Sequence, residues 1–340
     1  MIFPALLLFP ATLQAAGADP RPEKQAEIEA AIERGNAVRQ QDEIAPGALQ
    51  SVALIMKRNG IRTGHVYMSL LGARGEGGGT YRLTMQLKAA VVQNERAVVV
   101  QQDGSFLLGA DFSLMNGEMT QLANWQDRTG EGGLLHHRVI TLKSEPDALI
   151  WELREQGPDD TAPKKRSEQK VALKSFKPLP SEVLPMLPAL ASKGNLLAAG
   201  DGKPLCVPSV SLSELPHVEI RPAWLTFLPG KTETSLTKIS NDEPATVVRI
   251  RYLKGGMVDG GLQVQPPSIE DWNTRADYAL NARQKIVALP KPSEKNATLE
   301  IVEPSKLNPR ELYEFDKILK SYDAAAPAAT QSAGDEPKKQ

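Results

Sequence analysis

Tyr81-Arg82-Leu83-Thr84-Met85-Gln86-Leu87-Lys88 alternates apolar and polar residues without a break. Successive side chains of a β-strand point to opposite faces, so this period puts Tyr81, Leu83, Met85 and Leu87 on one face and the polar residues on the other. The stretch reads as a strand with one buried face. Leu149, Trp151 and Leu153 alternate with Ile150, Glu152 and Arg154 in the same way. From about Leu49 to Phe176 the chain reads as strand after strand, punctuated by Asn59-Gly60, Asp103-Gly104 and Asn116-Gly117, dipeptides that suit tight hairpin turns. The clearest hairpin runs from Leu107 to Met115, turns at Asn116-Gly117 and returns from Glu118 to Leu122. Consecutive hairpins with one polar face indicate an antiparallel meander, not a parallel α/β sheet.

Beyond this block the character changes. Pro178 to Ala191 carries Ser181 as an N-cap and then Val183, Leu184, Met186, Leu187 and Leu190, with Pro185 and Pro188 interrupting. A short or kinked apolar helix is expected, and an apolar segment of this size must cover something, the bare face of the sheet. Strand patterns return at His217–Ile220, Ala223–Leu228, Thr246–Tyr252, Lys285–Leu289 and Ala297–Ile301, with Pro229-Gly230, Asn241-Asp242 and Gly255-Gly256 as turns. Pro309 to Ser321 reads as a closing helix with Leu312, Phe315 and Leu319 on one stripe. The expected organisation is a signal peptide at 1–18, a helical spacer at 19–48 and an antiparallel β domain with an apolar helix at 49–200. A β-sandwich-like domain at 201–305, a C-terminal helix at 306–322 and a disordered tail at 323–340 complete it. The fold class is mainly β, a curved antiparallel sheet with an apolar Pro-broken helix, followed by the sandwich, with few short helices.

The leader expectation rests on Ile2 to Leu13, about a dozen apolar residues without charge, followed by Ala16-Gly17-Ala18, a small-x-small cleavage pattern. The run is too short to span a bilayer, which takes roughly 20 apolar residues, and no later run approaches that length, so no membrane span is expected. Export to the periplasm or the medium follows as an expectation. Cys206 is the one cysteine, so no internal disulfide is possible, and its apolar neighbours Leu205 and Val207 suit a small buried hydrophobe.

Composition excludes several functions. Lys+Arg 40 against Asp+Glu 41 argues against a broad nucleic-acid surface, and aromatics at 5% argue against a stacking platform for single strands. The four histidines are His65, His136, His137 and His217; neighbours on a strand face opposite ways, so His136 and His137 do not jointly grip one ion, and no metal site is expected. No Gly-x-Ser-x-Gly is present, and the Ser167-to-Lys170 spacing lies beside a charged loop. Gly75 to Gly79 precedes a strand and not a helix, so it is no phosphate cradle. The Pro158-Asp159-Asp160 and Lys164-Lys165-Arg166 cluster reads as a solvated hairpin loop in preference to a contact for an anionic partner. The expectation is a protein that is not an enzyme and uses no cofactor.

The run of strands from Arg62 to Phe176, with Leu184-Pro185-Met186-Leu187-Pro188-Ala189-Leu190 after it, resembles the lipoprotein-carrier-like proteins of the bacterial envelope. That resemblance covers about 62–190 and implies a curved sheet wrapped around an apolar helix, with acyl chains bound in a greasy cavity and no chemistry performed on them. Its lining here would be Tyr81, Leu83, Met85, Leu87, Trp151, Leu153, Met186 and Leu187. A second resemblance covers about 218–301. Ile220-Arg221-Pro222, then Phe227-Leu228-Pro229-Gly230, then Asn241-Asp242-Glu243-Pro244 and Val247-Val248-Arg249-Ile250 are similar to the first immunoglobulin-like domain of periplasmic pilus chaperones. It implies an immunoglobulin-like sandwich, without the chaperone activity. The two expectations are an exported binding protein for a lipid or other apolar molecule, and a structural or assembly factor that binds envelope proteins. A filled core on the concave face of the first sheet favours the second.

Overall fold

The structure is a computed structural model that describes residues 21–39, 50–75, 78–173, 177–186, 203–229, 236, 246–280, 286–292, 296–307 and 314–323. The expected leader and, from residue 324 on, the expected tail lie outside the described residues; Asp323 still belongs to the last helix. The described chain is mainly β, and its strands form two large sheets with one core between them.

The first sheet is a curled, half-barrel layer of nine strands. Eight of them follow one another in the chain: β1 (Gln50–Arg58), β2 (Ile61–Gly75), β3 (Gly78–Gln93), β4 (Arg96–Leu108), β5 (Leu114–Gln126), β6 (Gly132–Glu145), β7 (Ala148–Gln156) and β8 (Lys164–Ala172). Each pairs antiparallel with the next, the meander read from the alternating sequence. Tyr81, Leu83, Met85 and Leu87 do share the buried face of β3, while Arg82 is exposed.

After β9 (Leu179–Pro180) and a short 3-10 helix at Ser181–Met186, the chain builds a second, six-stranded sheet. It contains β9, β10 (Leu205–Val210), β11 (Ile220–Pro229) and β12 (Thr246–Tyr252). A small hairpin, β13 (Gly255–Val258) and β14 (Gly261–Val264), and helix α2 (Ile269–Asn273) intervene before β15 (Ala276–Leu280) and β16 (Ile286–Ala288) close it. The expected sandwich within 201–305 is therefore built differently. β11, β12, β15 and β16 lie in one sheet, and the layer opposite them is the first sheet, whose Leu54, Leu83 and Phe106 join Leu225, Val248 and Tyr278 in one buried cluster. The boundary at 305 also fails to isolate a unit, because β17 (Ala297–Val302) returns to the edge of the first sheet beside β1.

Three of the dipeptides read as turns lie inside strands. Asp103-Gly104 is in β4, Asn116-Gly117 in β5 and Gly255-Gly256 in β13. The real β4–β5 connection is Gly109–Ser113, closed by the Gly109 N–H donating to Ser113 O at 2.8 Å. Asn59-Gly60 is a turn, with φ of 48° and 77°, and the same left-handed pair recurs at Asn94-Glu95 and Asp259-Gly260.

The outer faces are covered as well. Helix α1 (Gln25–Arg39), expected as a spacer, packs Ile28 and Ala31 against Cys206 and Trp224 on the back of the second sheet. Gly35 is where helix and strand meet: a Cβ there would stand 2.9 Å from Val207 Cγ1 and closer to the Cys206 carbonyl. Helix α3 (Phe315–Asp323) lays Ile318 and Leu319 on Ala90 and Ala97 at the back of the first sheet, which fits the closing helix read from the sequence. Lys164, Lys165 and Arg166 open the edge strand β8 instead of sitting in a loop, and an edge lined with charge resists pairing with other chains.

Candidate functional site

The described part of the Pro-broken segment reaches the core as a short 3-10 helix with Pro185 inside it, and Leu179, Val183 and Leu184 are buried completely in the cluster shared by the two sheets. Beside this turn lies a partly open cavity of about 540 Å³, its mouth included. The enclosed part has room for about one water-sized guest. Inward positions of β1 and β2 supply Val52, Leu54 and Met68, and β12 and β16 supply Ile250 and Ile286. The other side is polar: Ser181 and Glu182 from the 3-10 turn, Ser211, Ser213 and Glu214 from the segment after β10, and Tyr252 and Tyr278 from the second sheet.

Glu182 is the centre of this polar side. Its carboxylate accepts the backbone N–H of Ser213 at 2.9 Å and that of Leu212 at 3.3 Å, and the Ser211 hydroxyl at 3.5 Å. These bonds tie the turn to the segment after β10, and they explain how an acid survives at 4% exposure. Burial raises its pKa above the usual carboxylate range, opposed by the N–H donors. Glu214 is raised too, first by burial; Arg221 at 3.6 Å opposes this and the charge of Glu182 adds to it. Burial pushes the phenols of Tyr252 and Tyr278 well up, and the carboxylate of Glu182 pushes them further.

Of the residues expected to line a cavity, none whose side chain is described lines this one. Tyr81, Leu83, Met85, Leu87 and Trp151 are buried in the continuous core, and Leu153 packs against it half-buried. The side chain of Met186, and Leu187 altogether, lie outside the described residues. The reason is steric: the second sheet and the 3-10 turn fill the concave face where these side chains point, and the Tyr81 ring itself stacks on Phe112 at 4.4 Å. The sequence did carry one overlooked signal. Glu182 is a lone acid in an otherwise apolar stretch, and a buried acid demands partners.

The concave face has a second polar feature, set by register. Leu54, Val66, Leu87, Gln102, Gln121, Arg138 and Glu155 are successive cross-strand partners from β1 to β7, so they share one face, apolar at one end and polar at the other. Arg138 Nε donates to Glu155 at 2.5 Å and its Nη1 to Gln121 Oε1 at 3.3 Å, while His136 Nε2 lies 3.2 Å from the same oxygen. Gln121, Arg138, Glu155 and His136 thus bond to one another.

Burial, helped by Arg138, lowers the His136 pKa to about 4, and burial with Arg62 and Lys88 does the same to His65 on the outer face. An unfolded histidine titrates near 6.5, so the unfolded chain binds more protons between these values. The stability each neutral ring contributes is present above about pH 6.5 and is lost as pH falls toward 4. Glu182 and Glu214, whose carboxyls are raised, act in the opposite sense. The readout is therefore a difference. Between pH 7.5 and 4.5 the urea midpoint should fall more in the wild type than in His136→Gln; equal falls would show that His136 does not titrate with unfolding.

Among the described residues no helix is long and apolar enough to cross a membrane, and no group of three or more His, Cys, Asp or Glu is placed to hold a metal ion. Burial pushes the Cys206 thiol up to about 12, which suits the inert buried residue read from the sequence.

The fold and the cavity define a two-layer β protein with a small, mixed-polarity pocket between its layers. No protein-family model and no curated protein matches the chain. Among solved structures, a porin-like protein from Bacteroides uniformis ATCC 8492 aligns with 76% of this chain and 98% of its own length, at 10% identity and a TM-score of 0.13. A score that low defines neither fold nor activity.

Proposed function

We propose that this chain is an exported, non-catalytic binding protein that holds a small, partly apolar molecule in the cavity beside Glu182. The observation that carries the reading is the lining itself: Val52, Leu54, Met68 and Ile250 on one side, with convergent polar groups on the other. A mostly apolar concavity with a few placed polar groups is the usual form of a small-molecule site. Export rests on the leader-like pattern of residues 2–18. The filled core beneath Tyr81 and Trp151 favours a small guest over a long acyl chain. The same filled core supports the second reading, an assembly factor that binds envelope proteins.

Native mass spectrometry on protein purified without detergent tests this. The wild type is expected to carry a discrete mass excess that Ser213→Phe, which fills the cavity mouth, does not. A bare wild-type mass would overturn the small-molecule reading and leave the assembly factor standing.

A further inference from the structure

We infer that the guest of the Glu182 cavity is a small cation with an apolar body, a short alkylammonium, and not a fatty acid or other anion; the inference rests on the binding reading above. The argument is the charge of the lining. Among the described residues the cavity is faced by two carboxyls, Glu182 and Glu214, two phenols and three serine hydroxyls, and by no Lys, Arg or His. Arg221 comes within 3.6 Å of Glu214 but makes its short contact, 2.6 Å, with Glu219 toward the surface. Its charge is therefore shared with a third carboxylate.

Three kinds of guest meet this lining differently. A carboxylate would place another negative charge among Glu182, Glu214 and two phenol oxygens, out of bulk water, where like charges repel most strongly. An alcohol would find hydrogen-bond partners in Ser211 and Ser213 but would leave the desolvated carboxyls as costly as before. An ammonium supplies an opposite charge to the buried Glu182, and to Glu214, whose partner Arg221 is shared with Glu219; it donates up to three hydrogen bonds to groups that accept. Tyr252 and Tyr278 add aromatic surface, which attracts cations. The apolar wall of Val52, Leu54 and Ile250 then takes a short hydrocarbon body. The enclosed part takes only a group the size of the ammonium head, so the body lies toward the open mouth and must be short.

The test titrates three isosteric probes, n-butylammonium, n-butanol and butyrate, into the full-length ¹⁵N-labelled protein at pH 7. The readout is the chemical shifts of the Leu212 and Ser213 amides that donate to Glu182. Butylammonium is expected to saturate at a concentration roughly tenfold lower than butanol, with no saturable response to butyrate. Glu214→Gln, at the cavity mouth and free of the tie that Glu182 makes to the backbone, should bring butylammonium to the level of butanol while leaving the spectrum folded. Butanol binding as tightly as butylammonium would overturn the charge argument and leave the binding reading intact. An ammonium preference that survives both Glu214→Gln and Glu182→Gln would overturn the assignment to this cavity. No saturable response to any probe would overturn both.

Discussion

In urea unfolding, Asp277→Asn is expected to lower the stability of this protein by about 3–5 kcal/mol, the usual cost of breaking a buried ion pair from one side. Asp277 on β15 lies directly across from Arg249 on β12. The pair is bidentate, Nε to Oδ1 at 2.9 Å and Nη2 to Oδ2 at 3.2 Å, and both side chains are 0% exposed. Arg275 brings a second guanidinium to the same carboxylate at 3.3 Å, itself 5% exposed. Asparagine keeps the shape but removes the charge that two guanidiniums share, and its NH₂ turns a donor toward donors. The specificity of the effect lies in coupling. The double variant Arg249→Met, Asp277→Leu replaces the pair with apolar volume and should be less destabilised than the sum of its single variants by about 1–3 kcal/mol. Additive losses, or a loss below about 1 kcal/mol for Asp277→Asn, would show that the pair is not held in a dry environment.

This ion pair also marks the limit of what the sequence could disclose. The alternation of Thr246–Tyr252 identifies the strand and places Val248 and Ile250 on one face, which is the core face. It also suggests that Arg249 and Arg251 face water, and they do not. Arg251 donates to Trp272 O at 2.8 Å and lies 4.0 Å from the Trp272 ring. Period-2 patterning separates two faces of a strand but does not say how many are covered, and here α1, α2 and the β13–β14 hairpin cover the second. The meander of the first sheet was legible because its strands pair in chain order, so each register follows from local alternation and short connections. The cavity was not. Glu182 meets Leu212 and Ser213 about 30 residues further along the chain, and β17 meets β1 across more than 200. Such closures depend on tertiary packing, of which a local pattern holds no record.

The second large effect is expected at Gly117, where Gly117→Val should cost about 3 kcal/mol or more by overpacking. Phe106 on β4 lies directly opposite Gly117 on β5, and its ring, 1% exposed, folds over the strand. A Cβ at Gly117 would stand 2.8 Å from Phe106 Cγ and closer still to Cδ1, and one at Gly104 would stand 2.7 Å from Cε2. Both glycines thus form a notch for one aromatic ring, and neither has a positive φ. The sequence held a trace of this, since Gly104 keeps the inward parity of Phe106 and Gly117 that of Met119, so the alternation runs through both dipeptides without a turn. The milder Gly117→Ala should cost about 1–3 kcal/mol, and Phe106→Leu should recover at least about 1 kcal/mol of it in the double variant, measured against Phe106→Leu alone. The rescue separates two explanations of the glycine. A hairpin turn at Asn116-Gly117 would make the alanine costly through backbone strain, which a smaller residue at position 106 does not relieve. A ring notch makes the cost depend on what occupies position 106. Gly117→Ala within about 0.5 kcal/mol of the wild type, or a loss that Phe106→Leu leaves unchanged, would rule the notch out.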